Sequence, residues 1–335
     1  MSSPLLKFSR NVGDYLYTFV YFNKCLKIIQ LKLDEFSKLK TKICSIGECM
    51  IEITNLDKSL YNFSIAGDTL NFSTYLNSSF FKVFYLTAIG TSDINKIVIE
   101  FLKNKKINID LIEKFSTKEI GLYLIKNTKK GEKQFYYWRD NSAAKFFFNN
   151  RISNFFKKNQ NFDYIYLTGI TLSLFEVKNI DKLIELIRYV KKNNSKIIFD
   201  LNIRIKRWSR QNLISYLNKI LPYIDILFAS GEDLKYWKNK SNLKNFVSIL
   251  KKFDIQHAIY RKNAQFNYSF YDNKKYTIKN KLIKKVVDTS GAGDGYNAAY
   301  LSNFLVYHDP LKALKIASKI GEKIVMKKGA IVDVR

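Results

Sequence analysis

The chain is poor in proline and glycine, with 3 Pro and 13 Gly in 335 residues. It is rich in Lys, Asn, Ile, Phe and Tyr, a bias expected of an AT-rich genome, and neither an internal repeat nor a long linker breaks it up. Three cysteines, Cys25, Cys44 and Cys49, exclude a disulfide framework and lack metal-ligand spacing. Cys44 and Cys49 lie near an apolar run and read as buried thiols in a reducing compartment, so a cytoplasmic location is expected. No apolar run approaches the ~20 residues that span a bilayer. The one suspicious segment, residues 15–22, is short, follows Asp14 and has no small-residue cleavage site, so it does not read as a signal peptide. Acidic residues are scarce too: 29 Asp and Glu against 57 Lys and Arg leave a net charge of +28. That charge is spread along the chain and carried mostly by lysine. Solvated lysine faces, not a dedicated nucleic-acid surface, are therefore expected, with weak, salt-sensitive polyanion binding from charge alone.

A hydrophobic content of 47% with 15% aromatics marks a core-forming protein. Its length suits one large α/β domain plus an appendage, or two modest domains. From Lys42 onward, short apolar strands alternate with helical stretches. Strand-like runs lie around Cys44, Leu86, Tyr166, Ile198 and Ile226, and a helix is read from Asp181 to Lys191. This pattern predicts a mostly parallel sheet covered on both faces, with ligands at the strands' carboxyl ends, where Gly90, Gly169, Asp200 and Ser230 fall. One segment differs. Gly121–Lys126 and Lys133–Arg139 flank a polar loop containing Gly131 and read as a hairpin. If Tyr123 lies opposite Tyr137, Ile125 faces Phe135, and Tyr123, Tyr137 and Arg139 share one surface. With the strand-like run from Met50 to Thr54, this gives a small β-sheet lid over a site. The plain alternative is a hairpin whose aromatics merely pack.

The most informative stretch is Asp288-Thr289-Ser290-Gly291-Ala292-Gly293-Asp294-Gly295-Tyr296-Asn297, which follows a strand-like run from Ile283 to Val287. Two glycines let the backbone turn and aim several N–H groups at one point, and the small-residue helix behind adds positive partial charge. Asp294 stands where an attacking hydroxyl would lose its proton. The pattern describes an anion hole with a base beside it. The plain alternative is a tight turn capped by Asp.

The full run resembles the C-terminal signature of the ribokinase-like (PfkB) sugar kinases. Further motifs occur in order: Gly47-Glu48 with Glu52, Ala66-Gly67-Asp68-Thr69-Leu70-Asn71, Tyr136-Tyr137-Trp138-Arg139 with Ser142, Leu167-Thr168-Gly169, and Asp200-Leu201-Asn202-Ile203-Arg204 with Trp208. Together they are similar to the branch of that family acting on 2-keto-3-deoxygluconate, over about residues 42–332. The resemblance implies a three-layer α/β sandwich over residues 41–335, with lid strands from about 48–68 and 119–140. Residues 1–40 are an extension of unknown role. It also implies ATP-dependent phosphorylation of the terminal (C6) hydroxyl, with Mg²⁺ as cofactor and Asp294 as base. Gly291, Ala292 and Gly293 would form the hole. Gly67, Asp68, Asn71, Tyr123, Tyr137, Arg139 and Arg204 would hold the sugar acid, and Asn202 and Arg204 would reach the ATP phosphates. No protein metal ligand, specific nucleic acid or membrane partner is implied. Pairing of two copies through the lid is.

The chain departs from this pattern in places. Leu201 stands where relatives carry proline. No glycine lies between Gly231 and Gly291, although relatives carry Lys-x-Gly near Tyr260–Ala264. Ser230 and Asp233 only partly match a Mg²⁺-linked Asn-x-x-Glu. Two other readings therefore stay open: a ribokinase-like kinase for a neutral sugar, and a decayed kinase kept as a binding protein.

Overall fold

A computed structural model describes residues 40–334 apart from 58, 77–78, 128–132, 153–160, 240, 264 and 284. Expectations for residues 1–39, Gly131, Lys284 and Ala264 lie outside the described residues. All described elements belong to the unit beginning at Thr41.

The apolar runs form strands because β-branched and aromatic side chains pack on both faces of a pleated surface. Nine strands make the main sheet: β1 (Thr41–Ile46), β4 (Phe81–Gly90), β5 (Ile112–Phe115), β8 (Tyr164–Thr168), β9 (Lys196–Asp200), β10 (Ile226–Ser230), β11 (His257–Arg261), β12 (Phe266–Tyr271) and β13 (Lys274–Lys279). Their order is β13-β12-β11-β10-β9-β8-β1-β4-β5. All pairs from β11 to β5 are parallel, and β12 and β13 are joined antiparallel at the edge. A second sheet, in the order β3-β2-β6-β7, holds β2 (Met50–Asp57), β3 (Leu60–Ala66), β6 (Gly121–Asn127) and β7 (Lys133–Trp138).

Helices cover both faces of the main sheet. On one side lie α1 (Asp68–Tyr75), α2 (Asp93–Asn104), α9 (Ala292–Tyr307) and α10 (Pro310–Val325). On the other lie α3 (Ala143–Asn150), α4 (Gly169–Leu172), α5 (Ile180–Lys192), α6 (Arg210–Ile220), α7 (Gly231–Lys238) and α8 (Leu243–Phe253). Strand period two divides the core accordingly: Ile43, Ile198, Phe228 and Ile259 face the first set, while Cys44, Ile197, Leu227 and Ala258 face the second. Cys44 and Cys49 are buried free thiols.

The hairpin has the expected register, Tyr123 opposite Tyr137 and Ile125 opposite Phe135. The run from Ile283 to Val287 is not a strand: residues 285–287 are irregular. The Val287 and Asp288 amides both donate to the Val325 carbonyl at the end of α10, at 2.7 and 3.1 Å, so those amides cannot join a ladder. The β12–β13 hairpin was not anticipated, though Asp272-Asn273, both at positive φ (52° and 56°), is its turn signal. Among the described residues no helix is long and apolar enough to cross a membrane.

Candidate active site

The sheet order reverses between β1 and β8, where parallel α/β sheets open a crevice at their carboxyl ends. The chain leaves the second sheet at Gly67 and enters α1 there. A methyl group at Gly67 would stand 2.4 Å from the Glu48 carbonyl oxygen, so the close approach demands glycine. Asp68, first in α1, accepts hydrogen bonds from Thr168 Oγ1 at 2.5 Å and Asn202 Nδ2 at 3.0 Å. Asn202 holds a left-handed backbone (φ 31°) just past β9. One turn into α1, Asn71 donates through Nδ2 to Asp294 Oδ2 at 2.8 Å, and its Oδ1 is buried without a partner.

Asp294 lies in the first turn of α9. That helix starts from Gly291 at φ 68°, where a methyl would sit 2.2 Å from the Ala330 carbonyl oxygen. The first amides of a helix lack intrahelical acceptors, so the turn at Gly291, Ala292 and Gly293 brings N–H groups beside a carboxylate, the Ala292 amide also donating to the Thr289 carbonyl at a long 3.4 Å. Burial, and then the neighbouring charge of Asp68, push the Asp294 carboxyl up to about 8; the Asn71 hydrogen bond and Arg204 work against them. Such a group holds a proton more readily than an ordinary aspartate.

A second polar group, missed in the sequence reading, lies beside the first. Asn297, three residues after Asp294 and thus on the same face of α9, donates to Asp200 Oδ2 at 2.8 Å. Arg261, last in β11, brings Nη2 to 3.8 Å from that oxygen and places its guanidinium over the Tyr296 ring, 5.5 Å from the centroid. Its Nη1 lies 2.7 Å from where a Cβ on Gly293 would stand, so the guanidinium packs directly on the glycine turn. Burial raises the Asp200 carboxyl to about 7 despite Arg261. The signal for Arg261 was its place at a strand's carboxyl end, in register with Ser230. The glycine-free segment after it turns by another device: Asn263 Oδ1 accepts from the Gln265 and Phe266 amides at 3.0 and 2.9 Å. Asp233 is spent on structure, accepting from the Ile203 amide and from Ser230 N and Oγ.

On the second sheet, Tyr123 and Tyr137 have ring centroids 5.7 Å apart. The Tyr123 hydroxyl donates to Glu52, and Tyr137 is half exposed. Arg139 is buried and donates through Nη2 to Glu48, whose other oxygen accepts from Ser142 Oγ at 2.5 Å. Arg204 is exposed, and its charge is felt by both Asp294 and Asp200. The structure therefore gathers Asp68, Asn71, Asn202, Arg204, the glycine turn and Asp294, and ties Arg139 and Tyr123 to internal carboxylates. A cavity of about 1130 Å³ lies to one side, bounded by residues of β2, β3, α2 and 328–331; neither Asp68 nor Asp294 lines it.

Comparison with known proteins identifies the family and the fold. The model of the pfkB family carbohydrate kinases matches residues 40–335. A protein of Haemophilus influenzae named 2-dehydro-3-deoxygluconokinase is 32% identical over 305 residues, covering 87% of this chain and 96% of its own. Its namesake in Escherichia coli K12 is 28% identical over 310 residues, covering 88% and 98%. Among solved structures, the 2-dehydro-3-deoxygluconokinase of Thermotoga maritima superposes with a TM-score of 0.73 at 18% identity, covering 87% of this chain and 96% of that one. An Escherichia coli putative ribokinase II in complex with ATP and Mg²⁺ superposes at 0.74 with 20% identity, covering 87% and 94%. With a mostly parallel sheet between two helical layers, a small separate sheet and a Gly-Ala-Gly-Asp helix start, the chain belongs to the pfkB family of carbohydrate kinases and is a sugar phosphotransferase.

Proposed function

We propose that the chain transfers the γ-phosphoryl group of ATP to the terminal (C6) hydroxyl of 2-keto-3-deoxygluconate, yielding 2-keto-3-deoxy-6-phosphogluconate. The observation that carries this reading is Asp294: a buried carboxylate at a glycine-built helix start, held by Asn71 across the crevice. Asp294 takes the hydroxyl proton as the oxygen attacks phosphorus, and the amides of Gly291, Ala292 and Gly293 meet charge on the transferring group. Arg261 adds a positive charge beneath the same turn. Asp68 and Asn71, with Gly67 leaving room for the backbone, address sugar hydroxyls. Asn202 and Arg204 stand between acceptor and phosphates, and Tyr123, Tyr137 and Arg139 form the lid side. The names of the Haemophilus and Escherichia relatives support the acid as substrate.

Mg²⁺ fits this site in one way. Among the described residues no group of three or more His, Cys, Asp or Glu could hold a metal alone. Asp200 Oδ1, however, is buried without a hydrogen-bond partner, a hard donor suited to a cation carried in largely by phosphate oxygens. When bound, the ion would screen phosphate charge.

One face of the second sheet exposes Tyr61, Phe63, Tyr136 and Trp138, an apolar surface suited to pairing two copies. The cytoplasm supplies the ATP this chemistry needs. We treat residues 1–40 as an extension outside the kinase domain of residues 41–335.

The test is a coupled ADP-release assay across sugars and sugar acids. Turnover confined to 2-keto-3-deoxygluconate and close acids, lowered ~10²–10⁴-fold in Asp294→Asn, is the expected result. Preference for ribose or fructose, or full activity of the variant, would overturn the reading.

A further inference from the structure

Asp68 and Asn71 lie in the first half of α1, and the last residue of that helix, Tyr75, reaches the other half of the site. The Tyr75 hydroxyl donates to the Ala330 carbonyl and accepts from the Val332 amide, both at 2.9 Å and across 255 and 257 residues of chain. The hydroxyl is not needed to fill space. The ring alone packs on α9, with Cδ2 3.1 Å from where a Cβ on Gly295 would stand. What the hydroxyl adds is a grip on residues 330–332. Ala330 is buried at a junction. Its carbonyl oxygen lies 2.2 Å from where a Cβ on Gly291 would stand, so the glycine turn rests directly on it. Ala330 also clusters with Met50, Ala66, Tyr123 and Ile125 of the second sheet. Asp288 links the same segment to the chain entering the turn: Oδ2 accepts from the Gly329 amide at 3.1 Å and Oδ1 from the Ser290 amide at 2.9 Å. Residues 329–332 thus form a strap against Gly291, tied by Asp288 at one end and by Tyr75 at the other. Backbone amides stabilise charge on a transferring group only when their positions are fixed beforehand. The turn is no better fixed than the carbonyl it rests on.

We propose that Tyr75 is a positioning residue for phosphoryl transfer: its hydroxyl holds the strap against Gly291 and so fixes the amides of the glycine turn. This inference rests on the reading of that turn as the anion hole. On the proposed assignment, the helix whose first half addresses the sugar also sets, through its last residue, the cradle for the phosphoryl group. Such a residue acts on the transition state and leaves the binding of both substrates nearly as it was.

The experiment uses the full chain as wild type, Tyr75→Phe, Val332→Pro and Asp294→Asn. Tyr75→Phe keeps the ring and loses the grip, and Val332→Pro removes one of the gripped amides without touching α1. Steady-state kinetics with ATP and 2-keto-3-deoxygluconate are paired with amide hydrogen exchange over β1 and residues 329–334. The expected result for Tyr75→Phe is a kcat lowered ~10–100-fold, the scale of two lost hydrogen bonds or a small misplacement at the turn. Both KM values stay within about threefold of wild type. Exchange at the Val332 amide rises at least about tenfold while β1 keeps its protection, which also reports a folded protein. Val332→Pro lowers kcat in the same way, and the double variant is no worse than the poorer single one. Normal kcat in Tyr75→Phe beside an impaired Asp294→Asn would overturn this inference alone. So would a kcat loss accompanied by faster exchange throughout β1, the mark of a merely structural residue. Normal turnover in both variants would overturn the anion-hole reading as well. A wild type inactive on the acid would overturn the substrate reading, and the same comparison is then made with the sugar that the acceptor panel identifies.

Discussion

Asp294, the proposed base, shows how its surroundings tune one carboxylate. Desolvation and the nearby negative charges of Asp68 and Asp200 favour its protonated form, so its pKa rises to about 8, while Asn71 and Arg204 limit the rise. A raised pKa makes a stronger proton acceptor but leaves less of it ionised at neutral pH. The logarithm of kcat/KM should therefore climb with unit slope from pH 6 and level off near pH 8, and pH–rate profiles of wild type and Asp294→Asn check this. A profile flat from pH 6 to 9 would contradict it. The same shift acts on folding with a definite sign. The folded protein holds this proton where the unfolded chain has lost it, so the contribution to stability is complete below about pH 4 and is lost as pH rises through about 8. The best pH for chemistry is one where this carboxylate no longer helps the fold.

At the scale of elements, α9 unites the chemistry. Its start holds the glycine turn and Asp294, and one turn later Asn297 secures Asp200, which faces Arg261. Gly291 is the sensitive hinge because a left-handed backbone and the Ala330 carbonyl both exclude a side chain. Gly291→Ala should cost at least about 1–3 kcal/mol, read as a lower urea midpoint, with kcat reduced more than tenfold as the turn moves. Equal midpoints would refute that account. Much of this helix start was legible in the sequence, because glycine and acid at a helix N-terminus are local signals. The Tyr123–Tyr137 register was legible too, since strand period fixes it once the turn is placed. The Arg139–Glu48 pair was not: the partners are 91 residues apart, and nothing local in the sequence shows that the arginine is already engaged. Arg261 stayed hidden for the same reason, since it meets Gly293 only through the sheet. The run from Ile283 to Val287 misled because its composition suits a strand, while the amides of Val287 and Asp288 go to the end of α10.

For the whole molecule, acid sensitivity should come from a place remote from the reaction. His257 is buried between the main sheet and α9, its Nε2 2.9 Å from the Tyr300 hydroxyl, which also meets Ser269 Oγ at 2.7 Å. Burial, with a smaller push from Lys196, lowers its pKa to about 3. The fold therefore favours the neutral ring. That contribution is complete above about pH 6.5 and is lost as pH falls toward 3. Wild type should lose about 2 kcal/mol between pH 7 and 5 by this route. Chemical denaturation at both pH values, compared with His257→Asn, measures it, and an equal loss in the variant would assign the effect elsewhere. The net charge of +28 adds a long-range attraction for anionic ligands, ATP and the proposed acid among them, that salt should weaken. Finally, the glycine turn, Asp294 and Asn297 ride on one helix packed between α1 and α10, whereas Tyr123 and Tyr137 belong to a separate small sheet. On the proposed assignment, retargeting such an enzyme calls for edits to the small sheet alone, and a transplanted hairpin could change what is phosphorylated while leaving the machinery of transfer untouched.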